Sequence, residues 1–232
     1  MAVSMPKGEI ERLFTAGAHF AQVKSRRHPS MKPYIVGARA KTEIIDLAKT
    51  EQQLAEAKEA LAALARDGRI VLFVGGKPEI AALVKSAAMK VGAPYVSSRW
   101  LGGTISNWGE IKKRIDRLAD LNEKKAAGTL AKQHTKLEVV KLDREAKRLS
   151  ERLDGITLLE KRPDVLLVVD TKREKHAVKE ARAAGLPVIA IMNSDCDLRD
   201  AAYPIVANDA SRETVKLLLT ELTGAFEKGR AM

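Results

Sequence analysis

The stretch 69–92, RIVLFVGGKPEIAALVKSAAMKVG, decides the fold. Its first part, RIVLFVGG, is an apolar run with β-branched residues that ends in two glycines, the pattern of a buried strand and the turn that leaves it. Its second part, PEIAALVKSAAMKVG, has Pro78 at a first helical position and Gly92 as terminator. The unit reads strand, turn, helix. The same order returns beyond residue 160, where PDVLLVVD is a strand, KREKHAVKEARAAG a helix closing at Gly185, and LPVIAIMN a further strand. YPIVAN then leads into a last helix, ASRETVKLLLTELTGAFEKG. Upstream, TEQQLAEAKEALAALARDG sets Thr50 and Gln53 at capping-box spacing and stops at Gly68, which predicts a helix opening at Thr50. Near-continuous apolar strands alternating with amphipathic helices predict an α/β fold whose mainly parallel sheet is covered on both faces.

Residues 106–154 follow another pattern. Ile111, Ile115 and Leu118 recur at helical spacing, and after a break at AAGT the series Val139, Leu142, Ala146, Leu149 and Leu153 steps by three and four. So narrow a seam predicts an antiparallel helix pair touching mainly itself. Its other faces are rich in cations, Lys112, Lys113 and Arg114 among them. A charge run of this kind reads first as a solvated face and second as a projection toward RNA or protein. The expected organisation is an α/β core from 1–105 and 155–232, with 106–154 inserted as a helical arm.

Charge narrows the partner. The 232 residues carry 41 Lys and Arg against 30 Asp and Glu, a net charge of +11, so a polyanion is the leading partner. No run approaches the roughly 18 apolar residues of a membrane-spanning helix, and MAVSMPKGEI has no signal-peptide pattern. The lone Cys196 rules out an internal disulfide framework, and a cytoplasmic location is expected. The strongest local signal is residues 17–41, where Lys24, Arg26, Arg27, Lys32, Arg39 and Lys41 occur without a single acid. Pro29 and Pro33 disfavour a helix there, so the cations are expected on an extended loop, with His19, Phe20, His28 and Tyr34 among them. Such a loop can follow a phosphate backbone. Aromatics make up only 4% of the chain, too few for a base-stacking platform, so recognition of folded RNA by shape and phosphate is expected.

Enzyme-like features are weaker. VGGKPE lies between strand and helix, where backbone N–H groups can hold an anion, but it lacks the P-loop spacing, and a tight turn that needs glycine explains it as well. Asp170, Asp195 and Asp197 follow strands and could gather at the carboxyl edge of the sheet, although Asp is also a common turn and capping residue. Cys196 stands alone, and His19, His28, His134 and His176 show no metal-ligand spacing. A flavodoxin-like enzyme or nucleotide-binding module built on VGGKPE and the three aspartates is the alternative to RNA binding.

RWLGGTISNW, residues 99–108, holds both tryptophans of the chain and closely resembles a signature of the bacterial-type family of the second protein of the small ribosomal subunit. GAHF, HPSMKPYI, IIDLAKT, VLFVGGKPE, PDVLLVVD, GLPVIAIMNSDCD and YPIVANDAS match the same family in order. The resemblance implies a flavodoxin-like three-layer α/β/α fold with a five-stranded sheet and an inserted helical hairpin, and no catalytic activity; no cofactor is expected, and no metal, since Asn193, Ser194 and Asp195 depart from the family's acidic pattern. It also implies a place between head and body of the small subunit, in contact with 16S ribosomal RNA and neighbouring ribosomal proteins. Docking of the largest small-subunit protein near the messenger exit belongs to the same picture, which involves neither membrane nor homo-oligomer. On this reading Gly102 and Gly103 turn the chain sharply after a strand PYVSS, Trp100 and Trp108 pack the root of the arm, and Arg99 is free to meet phosphate. The chain departs from the family pattern at Ala21, Gln22 and Val23, where Gly-His-Gln is usual, at Asn193, Ser194 and Asp195, and at residues 207–210, ANDA.

Overall fold

The computed structural model describes residues 7–133, 135–157 and 159–231, so His134 lies outside them. The chain runs α1 (Lys7–Thr15), β1 (Phe20–Val23), β2 (Ile35–Arg39), β3 (Thr42–Ile45), α2 (Leu47–Arg66), β4 (Val71–Val74), α3 (Pro78–Lys90) and β5 (Tyr95–Val96). It continues through α4 (Trp108–Ala126), α5 (Leu130–Gln133), α6 (Lys136–Leu153), β6 (Val165–Val169), α7 (Lys175–Ala183), β7 (Val188–Met192), β8 (Tyr203–Val206) and α8 (Arg212–Arg230).

Five strands form one sheet in the order β5-β4-β6-β7-β8, and every neighbouring pair is parallel. Every residue of VLFV, VLLVV and VIAIM is buried, because helices cover both faces. Side chains alternate between those faces. Phe73, Leu167, Val169, Ile189 and Ile191 pack with Leu61 of α2, Val84 of α3 and Leu222 of α8. Leu72, Val74, Leu166, Val168 and Met192 pack with Val178 of α7 and Ile111 and Ile115 of α4. The result is the expected three-layer α/β/α flavodoxin-like arrangement. Its strand order reverses at β4, since β5 lies on one side of it and β6 on the other.

Three local expectations change. α2 begins at Leu47, not Thr50, with Asp46 as cap accepting the Ala48 N–H at 3.1 Å. Thr50 donates its hydroxyl to the Val206 carbonyl at 2.6 Å, and Gln53 accepts the Val206 N–H at 2.9 Å. Spacing that looked like a capping box is instead a clamp on the last residue of β8. PYVSS supplies only the two-residue β5, and Ser97 and Ser98 leave the sheet.

The basic segment is not an extended loop. It folds as short 3-10 turns at Lys24–Arg26 and Pro29–Tyr34, and β1, β3 and β2 make a small antiparallel sheet. Pro29 opens the second turn, where its missing N–H costs nothing. The helix pair is anchored at its root. Ile111, Ile115, Leu118 and Leu153 are buried and share the apolar layer of the sheet, whereas Val139, Leu142, Ala146 and Leu149 are only half-buried. The root of the pair is therefore shared with the core, while along their length α4 and α6 pack on each other. Arg117–Glu145 at 3.4 Å and Lys125–Asp143 at 2.9 Å join α4 to α6 farther along.

Candidate nucleic-acid interface

The cations of the N-terminal segment separate into two kinds. Lys24 and Arg26 on the first 3-10 turn, Lys32 on the second, and Arg39 and Lys41 at the β2–β3 hairpin are all exposed. Among the described residues, no salt bridge engages any of these five, so their charge faces solvent. Arg27 and His28 are used by the fold. Arg27 donates to Glu43 at 2.7 Å, and Glu43 is only 2% exposed. His28 donates its backbone N–H to the Ser194 carbonyl at 2.8 Å, its ring Nδ1 lies 2.8 Å from the Ser30 hydroxyl, and its Nε2 lies 3.9 Å from Asp197. His28 thus pins the basic segment to the end of β7.

The RWLGG stretch is organised by a residue far along the chain. Glu180 on α7 accepts the Trp100 ring N–H at 3.2 Å and the Gly103 N–H at 2.8 Å through Oε1, and the Ile105 N–H at 3.2 Å through Oε2. Burial alone would raise its pKa, but these hydrogen bonds outweigh burial and hold the carboxyl below its ordinary value. Trp100 is buried against the sheet and Trp108 is half-buried at the first position of α4, so both pack the root of the helix pair. Gly103 needs its glycine, with φ at +95°. Gly102 does not take a left-handed conformation, so the turn rests on one glycine rather than two. Arg99 is exposed beside this loop. On the exposed side of α4, Lys113 is paired with Glu110 at 2.6 Å, whereas Lys112 and Arg114 carry no ion pair among the described residues.

The aspartates at the carboxyl edge of the sheet pair with basic side chains. The Lys77 ammonium lies 3.4 Å from Asp170 and 3.6 Å from Asp209. Burial works against that ammonium, yet the two carboxylates hold its pKa above the ordinary value. Asp195 pairs with Lys172 at 2.8 Å, and Asp197 pairs with Arg199 at 2.8 Å, whose hydrogen bonds bring the Asp197 carboxyl down to about 2. Asp209, missed in the sequence, is buried, and burial pushes its carboxyl up to about 6. Ligand atoms of Asp170, Cys196 and Asp209 lie within 4.8 Å of one another. Lys77 offsets one of the two aspartate charges, and burial pushes the Cys196 thiol up to about 11.

VGGKPE does not present a phosphate cradle. The Gly75 N–H donates to the Val96 carbonyl at 2.9 Å and the Gly76 N–H to Glu174 at 3.0 Å. Space, not a positive φ, explains the glycines: a Cβ at Gly76 would meet the Ser98 carbonyl oxygen at 2.4 Å, and one at Gly75 would meet Val84 at 2.7 Å.

Comparison with known proteins settles which family carries this arrangement. The family model described as Ribosomal protein S2 matches residues 13–229. Small ribosomal subunit protein uS2c of Rhodomonas salina is 40% identical over 220 residues, covering 95% of this chain and 90% of its own. Small ribosomal subunit protein uS2 of Fusobacterium nucleatum subsp. nucleatum is 40% identical over 220 residues, with 95% and 89% covered. The homologue of the same name from Rippkaea orientalis is 37% identical over 226 residues, with 97% and 84% covered. With its parallel sheet, its occupied carboxyl edge and a match along nearly its whole length, the chain belongs to the ribosomal protein S2 family, a family of structural proteins rather than enzymes.

Proposed function

We propose that this chain is a structural constituent of the small ribosomal subunit that binds 16S ribosomal RNA by neutralising its phosphates. The observation that carries the reading is the set of exposed, unpaired cations Lys24, Arg26, Lys32, Arg39 and Lys41 on a segment with no acid. Arg99, Lys112 and Arg114 extend the charge to the root of the helix pair. The position between head and body, the arm as residues 106–154, contacts with neighbouring ribosomal proteins and docking of the largest small-subunit protein near the messenger exit all belong to this proposal. Few exposed aromatics favour recognition of shape and phosphate over base reading.

The test is the salt dependence of binding between the purified chain and small-subunit RNA. Neutralisation of about six phosphates gives a log–log slope of roughly −5. Arg26→Ala should weaken binding uniformly across RNA sequences and flatten the slope by about one unit. A slope near zero would contradict the mechanism.

A further inference from the structure

A second cationic feature lies at the carboxyl ends of β4, β5 and β6, where the strand order reverses. It is a cleft of about 600 Å³, within the size range of small-ligand sites, lined by Arg99, Arg173, His176 and Lys179 together with the Trp100 loop. All four basic side chains are exposed, and among the described residues none is engaged in a salt bridge. Two carboxylates share the walls, but both face inward to the protein. Glu180 is occupied by the Trp100 ring and the backbone of the loop, and Glu174 accepts the Gly76 N–H while only 5% exposed. His176, Lys179 and Glu180 on one side of α7 form one wall, and Arg173, in the turn that enters this helix, donates to the Gly76 carbonyl at 3.3 Å, which fixes its guanidinium at the rim.

We infer that this cleft is a phosphate site, filled by one phosphate group that Arg99, Arg173 and Lys179 hold beside α7. Two guanidinium groups and an ammonium around one cleft suit a tetrahedral oxyanion. The Trp100 ring is buried and hydrogen-bonded to Glu180, so it offers no face to a base, and recognition stops at the phosphate. The phosphate comes either from an RNA backbone or from a free phosphorylated compound. The inference rests on the proposed RNA binding only for the first of these sources.

The experiment follows backbone amides of Gly102, Lys175 and His176 in the full chain by NMR as inorganic phosphate, AMP and adenosine are added in turn. Phosphate and AMP should shift these amides to saturation, and adenosine should leave them in place. Arg173→Ala combined with Lys179→Ala removes two exposed side chains and should weaken AMP binding at least about tenfold. The K90A variant, changed at the exposed C-terminal end of α3, should bind AMP as the wild type does. An unmoved set of amides, or equal shifts in R173A/K179A and wild type, overturns the inference. The salt slope for RNA identifies the source: a slope flattened by about one to two units in R173A/K179A assigns the site to an RNA phosphate, and an unchanged slope with lost AMP binding assigns it to a free phosphorylated ligand. Absence of RNA binding by the wild type would overturn the proposed function and leave the AMP result standing.

Discussion

Arg26 and Arg27 are adjacent and carry the same charge, yet they do different work. Removing Arg27 leaves Glu43 buried without its cation, so Arg27→Ala should cost about 2–3 kcal/mol in urea unfolding. Arg26→Ala should stay within about 0.5 kcal/mol of wild type and act only on RNA affinity. The six cations of the segment were legible from composition, but Glu43 lies 16 residues from Arg27, and only the fold says which cation it claims. Glu180 was illegible for the same reason, since its partners in the RWLGGTIS stretch lie 74–80 residues away. Asp209 gives a pH signature. Its carboxyl is raised from 3.8 to about 6, so the unfolded chain ionises first and the folded state loses stability as pH rises through that interval. Relative to wild type, Asp209→Asn should gain about 3 kcal/mol between about pH 4 and about pH 7, measured as urea midpoints along the pH series. A constant difference across the series would contradict this assignment.

At the scale of elements, legibility followed length and burial. VLFV, VLLVV and VIAIM are wholly apolar because they are buried on both faces, and that pattern is visible in a string of letters. FAQV and TEII are four-residue strands separated by prolines and cations, too short for alternation to show. The start of α2 was misplaced because Thr50 and Gln53 bond to Val206, a partner more than 150 residues away. The β2–β3 hairpin turns at Ala40 and Lys41, with φ of +48° and +73°, a conformation that favours Asn and Gly. Ala40→Asn should therefore stabilise the small sheet by about 1 kcal/mol, read as slower amide exchange at Arg39 and Thr42. Exchange no slower than in wild type would show that the turn is unstrained.

For the whole molecule, the net charge of +11 pointed to a polyanion, and the strand–helix alternation gave the layered fold. The cleft at the strand reversal was not visible, because Arg99 meets Arg173, His176 and Lys179 only when β5 and β6 flank β4. The central claim is that charge holds this chain in the small subunit. Its most direct test is sedimentation of native lysate through sucrose gradients at rising salt, following the wild type and a K24A/R26A/R39A/K41A variant by mass spectrometry. The wild type should travel with small subunits at low salt and leave them as salt rises, and the variant should leave at lower salt. A wild-type chain found at the top of every gradient, or a variant that detaches at the same salt, would contradict the account.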